Sequence, residues 1–159
     1  FYGGGWVGLN LRKNLIRDLK FRRMLALSVD RQVLVDKVRV LGERASESLV
    51  PEAVLDYPDR ATPAHASWPM SRRMAEAKAL AESLGLSRSR PQRLTAIFSS
   101  NNLTQRTFLA LDAMWAPFGV RLDLRGLESR AYSLALNQGD FDLMDYSPFS
   151  AVQSATSFI

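Results

Sequence analysis

The sequence contains no cysteine, which excludes disulfides and thiolate metal sites. It contains one histidine, His65, in a proline-rich stretch with no acidic neighbour at ligand spacing. A solvated surface histidine is expected there, and without a partner it supports neither a Ser-His-Asp arrangement nor a metal site. No apolar run approaches the roughly 20 residues that span a bilayer. A P-loop and an H-E-x-x-H helix are both missing. So is an internal repeat. There is no initiating methionine and no signal-peptide pattern, because Phe1 leads straight into Tyr2-Gly3-Gly4-Gly5. A processed or excised piece whose true N-terminus lies elsewhere is the expectation. Asp142 and Asp145, three apart on an expected strand, point to opposite faces and make no carboxylate pair. Enzyme readings therefore start poor.

What is present suits one globular domain or one lobe of a larger protein. Of the 159 residues, 47% are hydrophobic, and a chain of this size buries roughly 70% of its unfolded surface. Lys and Arg total 21 against 16 Asp and Glu, for a net charge of +5 and a pI near 10. The basic pairs Arg22-Arg23, Arg72-Arg73 and Arg88/Arg90 sit in separate segments without interleaved aromatics. Solvated helix faces explain them better than a nucleic-acid surface.

Residues 94–127 organise the rest. Leu94, Ala96, Ile97 and Phe98 form a short apolar run, as in a strand covered on both faces. Ser99-Ser100-Asn101-Asn102 breaks it with side chains that bond local backbone. Asn102 is placed to cap the next helix, with Gln105 three residues on as in a capping box. Thr107, Leu111, Met114, Trp115 and Phe118 recur at helical spacing. Pro117 and Gly119 stop the helix, and Val120, Leu122 and Leu124 alternate with Arg121, Asp123 and Arg125 as a half-buried strand. A parallel β-α-β crossover results, and such units put polar loops at the carboxyl ends of strands, where ligands bind.

Around this unit the pattern is simpler. Gly3-Gly4-Gly5-Trp6-Val7-Gly8 matches G-x-G-x-x-G, but the glycines precede the expected strand over Trp6 to Leu11 instead of following one, so a dinucleotide fingerprint is rejected. Asp18 opens a helix through Leu19, Phe21, Met24 and Leu25, and Asp30 caps a continuation through Val33, Leu34 and Val38. Residues 42–69 collect Pro51, Pro58, Pro63 and Pro69 and read as a long irregular connection. Ser71 caps a helix with Met74, Ala77, Leu80, Ala81 and Leu84 inward, closed by Gly85. Ser129 caps a short helix closed by Gly139, and residues 141–146 read as a strand.

Two loops suggest a ligand surface. One is the uncharged, donor-rich turn of residues 99–104 at a helix N-terminus. The other is the strand exit Asp145-Tyr146-Ser147-Pro148-Phe149-Ser150, where a carboxylate, a phenol and a phenyl suit a cationic or amide-bearing ligand. In a parallel sheet both lie on one edge.

These segments, taken in register, resemble a known family. VGLNLRKNLIRDLKFRRMLALSVDRQVLVDKV, SLVPEAVLDYPD, RRMAEAKALAESLGL, NNLTQRTFLALDAMWAPFGVRLDLRGLE and NQGDFDLMDYSPF are similar, in order and spacing, to stretches of the peptide/nickel solute-binding proteins of bacterial ABC importers. The resemblance implies an α/β fold: one lobe of a two-lobe, type II-like periplasmic binding protein with a mixed sheet flanked by helices. It implies that residues 1–159 are most of a C-terminal lobe that closes on ligand against a missing N-terminal lobe. It implies a monomer without cofactor or metal, located in the periplasm or tethered outside the membrane by lipid, which hands a peptide or similar small solute to a permease without chemistry. Carried over by position, it points to Ser99, Asn101, Thr104, Asp145, Ser147 and Phe149 as ligand-facing. Three positions depart from the pattern: Ala151 replaces the Asp that holds a peptide amino terminus, Pro148 replaces a Trp, and Asp145 stands where a basic residue is common. Asp145 is then the expected cation-binding carboxylate. The competing readings are a fragment of an α/β enzyme or regulatory domain and a basic nucleic-acid-binding domain.

Overall fold

The computed structural model describes residues 2–3, 5–51, 54, 56–57, 61–147 and 149–150. The positions of Pro148 and Ala151 and the tail beyond lie outside the described residues. The chain runs β1 (Tyr2–Gly3), β2 (Trp6–Leu9), α1 (Asn14–Arg17), α2 (Leu19–Leu27), and α3 (Arg31–Val33), which continues as a π-helix (Leu34–Arg39). After an irregular stretch with one 3-10 turn (Ala64–Ser67) come α4 (Met70–Ser83), β3 (Gln92–Ser99), α5 (Asn102–Trp115), β4 (Val120–Leu127), α6 (Ser129–Gln138), β5 (Leu143–Tyr146) and β6 (Phe149–Ser150).

Four strands form a mixed sheet in the order β2-β5-β3-β4. β3 pairs in parallel with β4 from Gln92↔Val120 to Ser99↔Leu127, and with β5 at Ala96↔Leu143 and Ile97↔Met144. β2 runs antiparallel to β5, with Trp6 opposite Tyr146 and Leu9 opposite Leu143. The crossovers β3-α5-β4 and β4-α6-β5 travel in opposite directions across the sheet. Right-handed connections then put α5 and α6 on opposite faces.

The α5 face is the core. Leu94, Ala96 and Phe98 from β3, Val120 and Leu122 from β4, and Leu143 pack against Phe21, Met24, Leu25, Ala77, Ala81, Phe108, Leu111 and Trp115. Phe98 and Phe108 stack at 5.6 Å between centroids. The Trp115 indole N–H meets its buried hydrogen-bonding need at the Leu25 carbonyl, 3.1 Å away. Gly119 ends the turn after α5 at φ 76°, where a Cβ would sit 2.6 Å from the Ser87 backbone nitrogen. The α6 face is thin, and α6 buries none of its residues fully.

Helix ends follow the expected physics with some changes of residue. Asp18 caps α2 through Lys20 N at 2.7 Å, and Asp30 accepts from Val33 N at 3.0 Å. The cap of α5 is Asn101 and not Asn102: its Oδ1 accepts from Thr104 N at 2.8 Å, which makes Asn102 the first helical residue. Ser71 and Ser129 lie inside α4 and α6, whose N-cap positions, Pro69 and Glu128, make no side-chain capping bond. Leu19, counted among the apolar helix positions, is 69% exposed.

Two residues expected at the solvated surface are enclosed. The Arg73 side chain is 9% exposed and forks onto the last carbonyls of α2 and the turn after it. Nε donates to Leu27 O at 3.2 Å, and Nη2 to Ala26 O at 3.0 Å and Val29 O at 3.1 Å. Its Nη1 meets Glu47 at 3.0 Å, and Arg31 meets the same carboxylate at 3.1 Å. Glu47 is how the irregular connection is anchored. His65, its side chain 13% exposed, stands edge-on to Trp68, with Nε2 buried 3.8 Å from Glu47 and without a hydrogen-bond partner among the described residues. Burial pushes its pKa down, and Arg73, Arg31 and Arg23 add to this against the opposing pull of Glu47.

Candidate ligand-binding rim

Because β3, β4 and β5 are parallel, their carboxyl ends share one edge, and the amino end of antiparallel β2 joins them there. This edge carries the turn after Ser99, the exit of β4 at Leu127, the exit of β5 beyond Tyr146, and Trp6. Loops with free polar groups collect at such an edge because each strand must leave the sheet there before its chain returns.

Ser99 and Asp145 meet directly: the Ser99 N–H donates to Asp145 Oδ1 at 3.3 Å. The Asn101 amide donates to Ser99 O at 2.9 Å while its oxygen caps α5, so Ser99, Asn101 and Thr104 form one hydrogen-bonded turn. Ser100 N bonds Leu127 O at 3.0 Å and ties this turn to the β4 exit. Tyr146 and Ser147 are exposed beside it. The backbone of Phe149 pairs with Gly3, and its side chain lies outside the described residues. Five of the six expected residues thus stand on one rim, and the sixth follows on the same exit. Asp142 does not join them. Its carboxylate accepts from Thr95 N at 2.8 Å, four strand residues and therefore about 13 Å from the Ser99 contact.

Three rim residues have no signal in the sequence pattern. The Tyr132 hydroxyl, from α6, donates to the Asp145 carbonyl at 2.8 Å and braces the β5 exit from the thin face. Burial, with Asp145 adjacent, pushes the Tyr132 phenol above its usual range. Trp6 is the cross-strand partner of Tyr146, and its indole nitrogen is buried without a hydrogen-bond partner among the described residues. Arg39 reaches from the end of the π-helix to within 3.8 Å of where a Cβ on Gly5 would sit, and donates to Glu43 and Thr107. Periodicity sees none of these, since each depends on a partner at least 13 residues away or on the path of the π-helix.

A rim of polar turns at the carboxyl edge of an α/β layer is where such folds bind ligands. The family model described as bacterial extracellular solute-binding proteins, family 5 Middle, matches residues 2–159. The chain belongs to that family. It is 34% identical over 155 residues to the probable deoxycholate-binding periplasmic protein YgiS of Escherichia coli, a match covering 97% of this chain and 29% of that protein. It is 26% identical over 155 residues to the periplasmic oligopeptide-binding protein OppA of Salmonella typhimurium, covering 95% of this chain and 28% of OppA. Among solved structures, Haemophilus influenzae OppA in complex with RPPGFSPFR superposes with a TM-score of 0.92 at 25% identity, covering 99% of this chain and 31% of that one. The chain therefore spans under a third of the length of these relatives, and its mixed sheet with flanking helices matches one part of their fold. No helix among the described residues is long and apolar enough to cross a membrane.

Proposed function

We propose that this chain is most of the C-terminal lobe of the substrate-binding component of an ABC importer. The intact protein captures a peptide or similar small solute outside the cytoplasmic membrane, in the periplasm or held there by a lipid anchor, and delivers it to a membrane permease as a monomer. It performs no chemistry on the ligand. Ser99, Asn101, Thr104, Asp145, Ser147 and Phe149 form this lobe's half of the ligand surface, closed by the missing N-terminal lobe.

The observation that carries the reading is the contact of Ser99 N with Asp145 Oδ1, which joins the two loops into one rim in a chain belonging to a solute-binding family. The same contact bears on ligand class. It places a carboxylate on the rim with one oxygen held by backbone, which suits an ammonium or amide N–H donor and disfavours an anion. That favours the peptide side of the relatives' named ligands over the bile acid. Native mass spectrometry of the full-length protein, purified without denaturation, tests the proposal. A co-purified peptide or amine supports it. A ligand converted to product on incubation would instead indicate an enzyme.

A further inference from the structure

The chain's positive charge is concentrated in one place. Residues 11–23 hold six of the 21 Lys and Arg residues and one of the 16 Asp and Glu residues, so the other 15 of each cancel and the whole +5 resides here. The pairs of basic residues elsewhere are dispersed; the excess is not. This segment leaves β2 at the edge opposite the rim, because Leu9 pairs with Leu143 at the start of β5.

Arg12, Lys13, Arg17 and Lys20 are exposed, and among the described residues none of them is in an ion pair. The lone acid, Asp18, is committed to capping α2. Side-chain bonds to backbone knit the stretch into one surface: Arg17 Nε reaches Leu11 O at 3.4 Å, and Arg22 reaches the carbonyls of Ile16 at 3.0 Å and Arg17 at 2.7 Å. Arg23 pairs with Glu76 at 3.6 Å and stands apart from it. Two leucines lie among the cations, Leu11 at 53% and Leu19 at 69% exposed. They add nothing to the core of this lobe.

We propose that residues 11–20 form a peripheral contact for an anionic phospholipid surface, with Arg12, Lys13, Arg17 and Lys20 at the headgroups and Leu11 and Leu19 entering the interface. Cations without acids attract any anionic surface. Exposed leucines between them select a bilayer, where apolar groups sink past the headgroups while the charges stay with the phosphates. Contact and rim occupy opposite edges of one sheet. A protein resting on the membrane by this edge turns its rim away from the bilayer.

The test uses the full-length protein freed of any lipid anchor, sedimented with vesicles of phosphatidylglycerol mixed into phosphatidylcholine and with phosphatidylcholine alone. Binding is expected only to the anionic vesicles and falls as salt rises. Each cation removed should weaken it roughly fivefold, so R12E/K13E/R17E/K20E loses at least about a hundredfold. The L11S/L19S variant loses severalfold, while melting temperature and ligand affinity stay at wild-type values in both variants. Equal partition into neutral vesicles, or wild-type binding by the charge-reversed variant, overturns the proposal. A lowered melting temperature overturns it too, by showing that these side chains pack against another part of the intact chain. Wild-type vesicle binding by L11S/L19S, with equally tight binding of polyglutamate, assigns the surface to an acidic protein instead. Ligand affinity, measured in parallel, keeps a failure here separate from a failure of the ligand-binding reading.

Discussion

Replacing Arg73 with methionine keeps the aliphatic stem and removes the fork that closes α2. Three carbonyls, Ala26, Leu27 and Val29, lose their charged donor, and the side chain is too enclosed for bulk water to replace it. An unsatisfied buried acceptor costs about 1–3 kcal/mol, and bonds to charged groups contribute about 1.5–3 kcal/mol each without adding fully. Glu47 softens the loss because Arg31 still holds it at 3.1 Å, so the full penalty of an orphaned buried charge does not apply. The expected destabilisation is about 3–5 kcal/mol. Lysine at position 73 restores the charge but is a point donor that cannot span three carbonyls and a carboxylate, so R73K should recover less than half of that loss. Both variants are read in the full-length protein by urea denaturation, at constant m, with hydrogen exchange of α2 and α4 amides localising the effect. A loss below about 1 kcal/mol for R73M, or wild-type stability for R73K, refutes the argument that fork geometry holds this helix end.

His65 makes the stability of the lobe pH-dependent. Its folded-state pKa lies below the unfolded value of 6.5, so the unfolded chain binds the proton more readily and stability falls as pH drops below about 6.5 toward the folded pKa. His65→Gln should flatten the stability profile in that window; an unchanged slope would place the titration elsewhere. Asn101→Ala removes the α5 cap and should cost about 1 kcal/mol in thermal or urea unfolding, with Asn102→Ala near neutral; the reverse order would restore Asn102 as the cap. Asp145→Asn should weaken a cationic ligand by about 1–3 kcal/mol in calorimetry of the full-length protein, and unchanged affinity would remove Asp145 from the ligand surface.

The elements themselves were legible in the sequence because they rest on local rules. The apolar run of residues 94–98, the helical recurrence of Leu111 and Trp115, the stop at Pro117 and Gly119, and the alternation from Val120 produce a β-α-β unit at the expected place. The rejection of the glycine-rich lead-in also holds, since Trp6–Leu9 is the strand and the glycines precede it. Caps were legible to within one or two residues. Asn101 and Asn102 offer the same chemistry, and only the path of the chain out of β3 decides which one faces Thr104 N.

Enclosure was decided by tertiary structure. Arg73 reads as a surface residue until α2 ends beside it and Glu47 arrives from the irregular connection. His65 reads as solvated until Trp68 and Glu47 close over it. Similarly, the likeness of the rim loops to ligand-facing segments was visible, but the Ser99 to Asp145 contact exists only because β3 and β5, separated by a helix, a strand and a second helix, become parallel neighbours. Side-chain period and capping chemistry are properties of a few consecutive residues, so the sequence alone determines them. Burial of a charge, or the meeting of two loops, depends on which distant segment lies across the gap, and only the folded chain settles that.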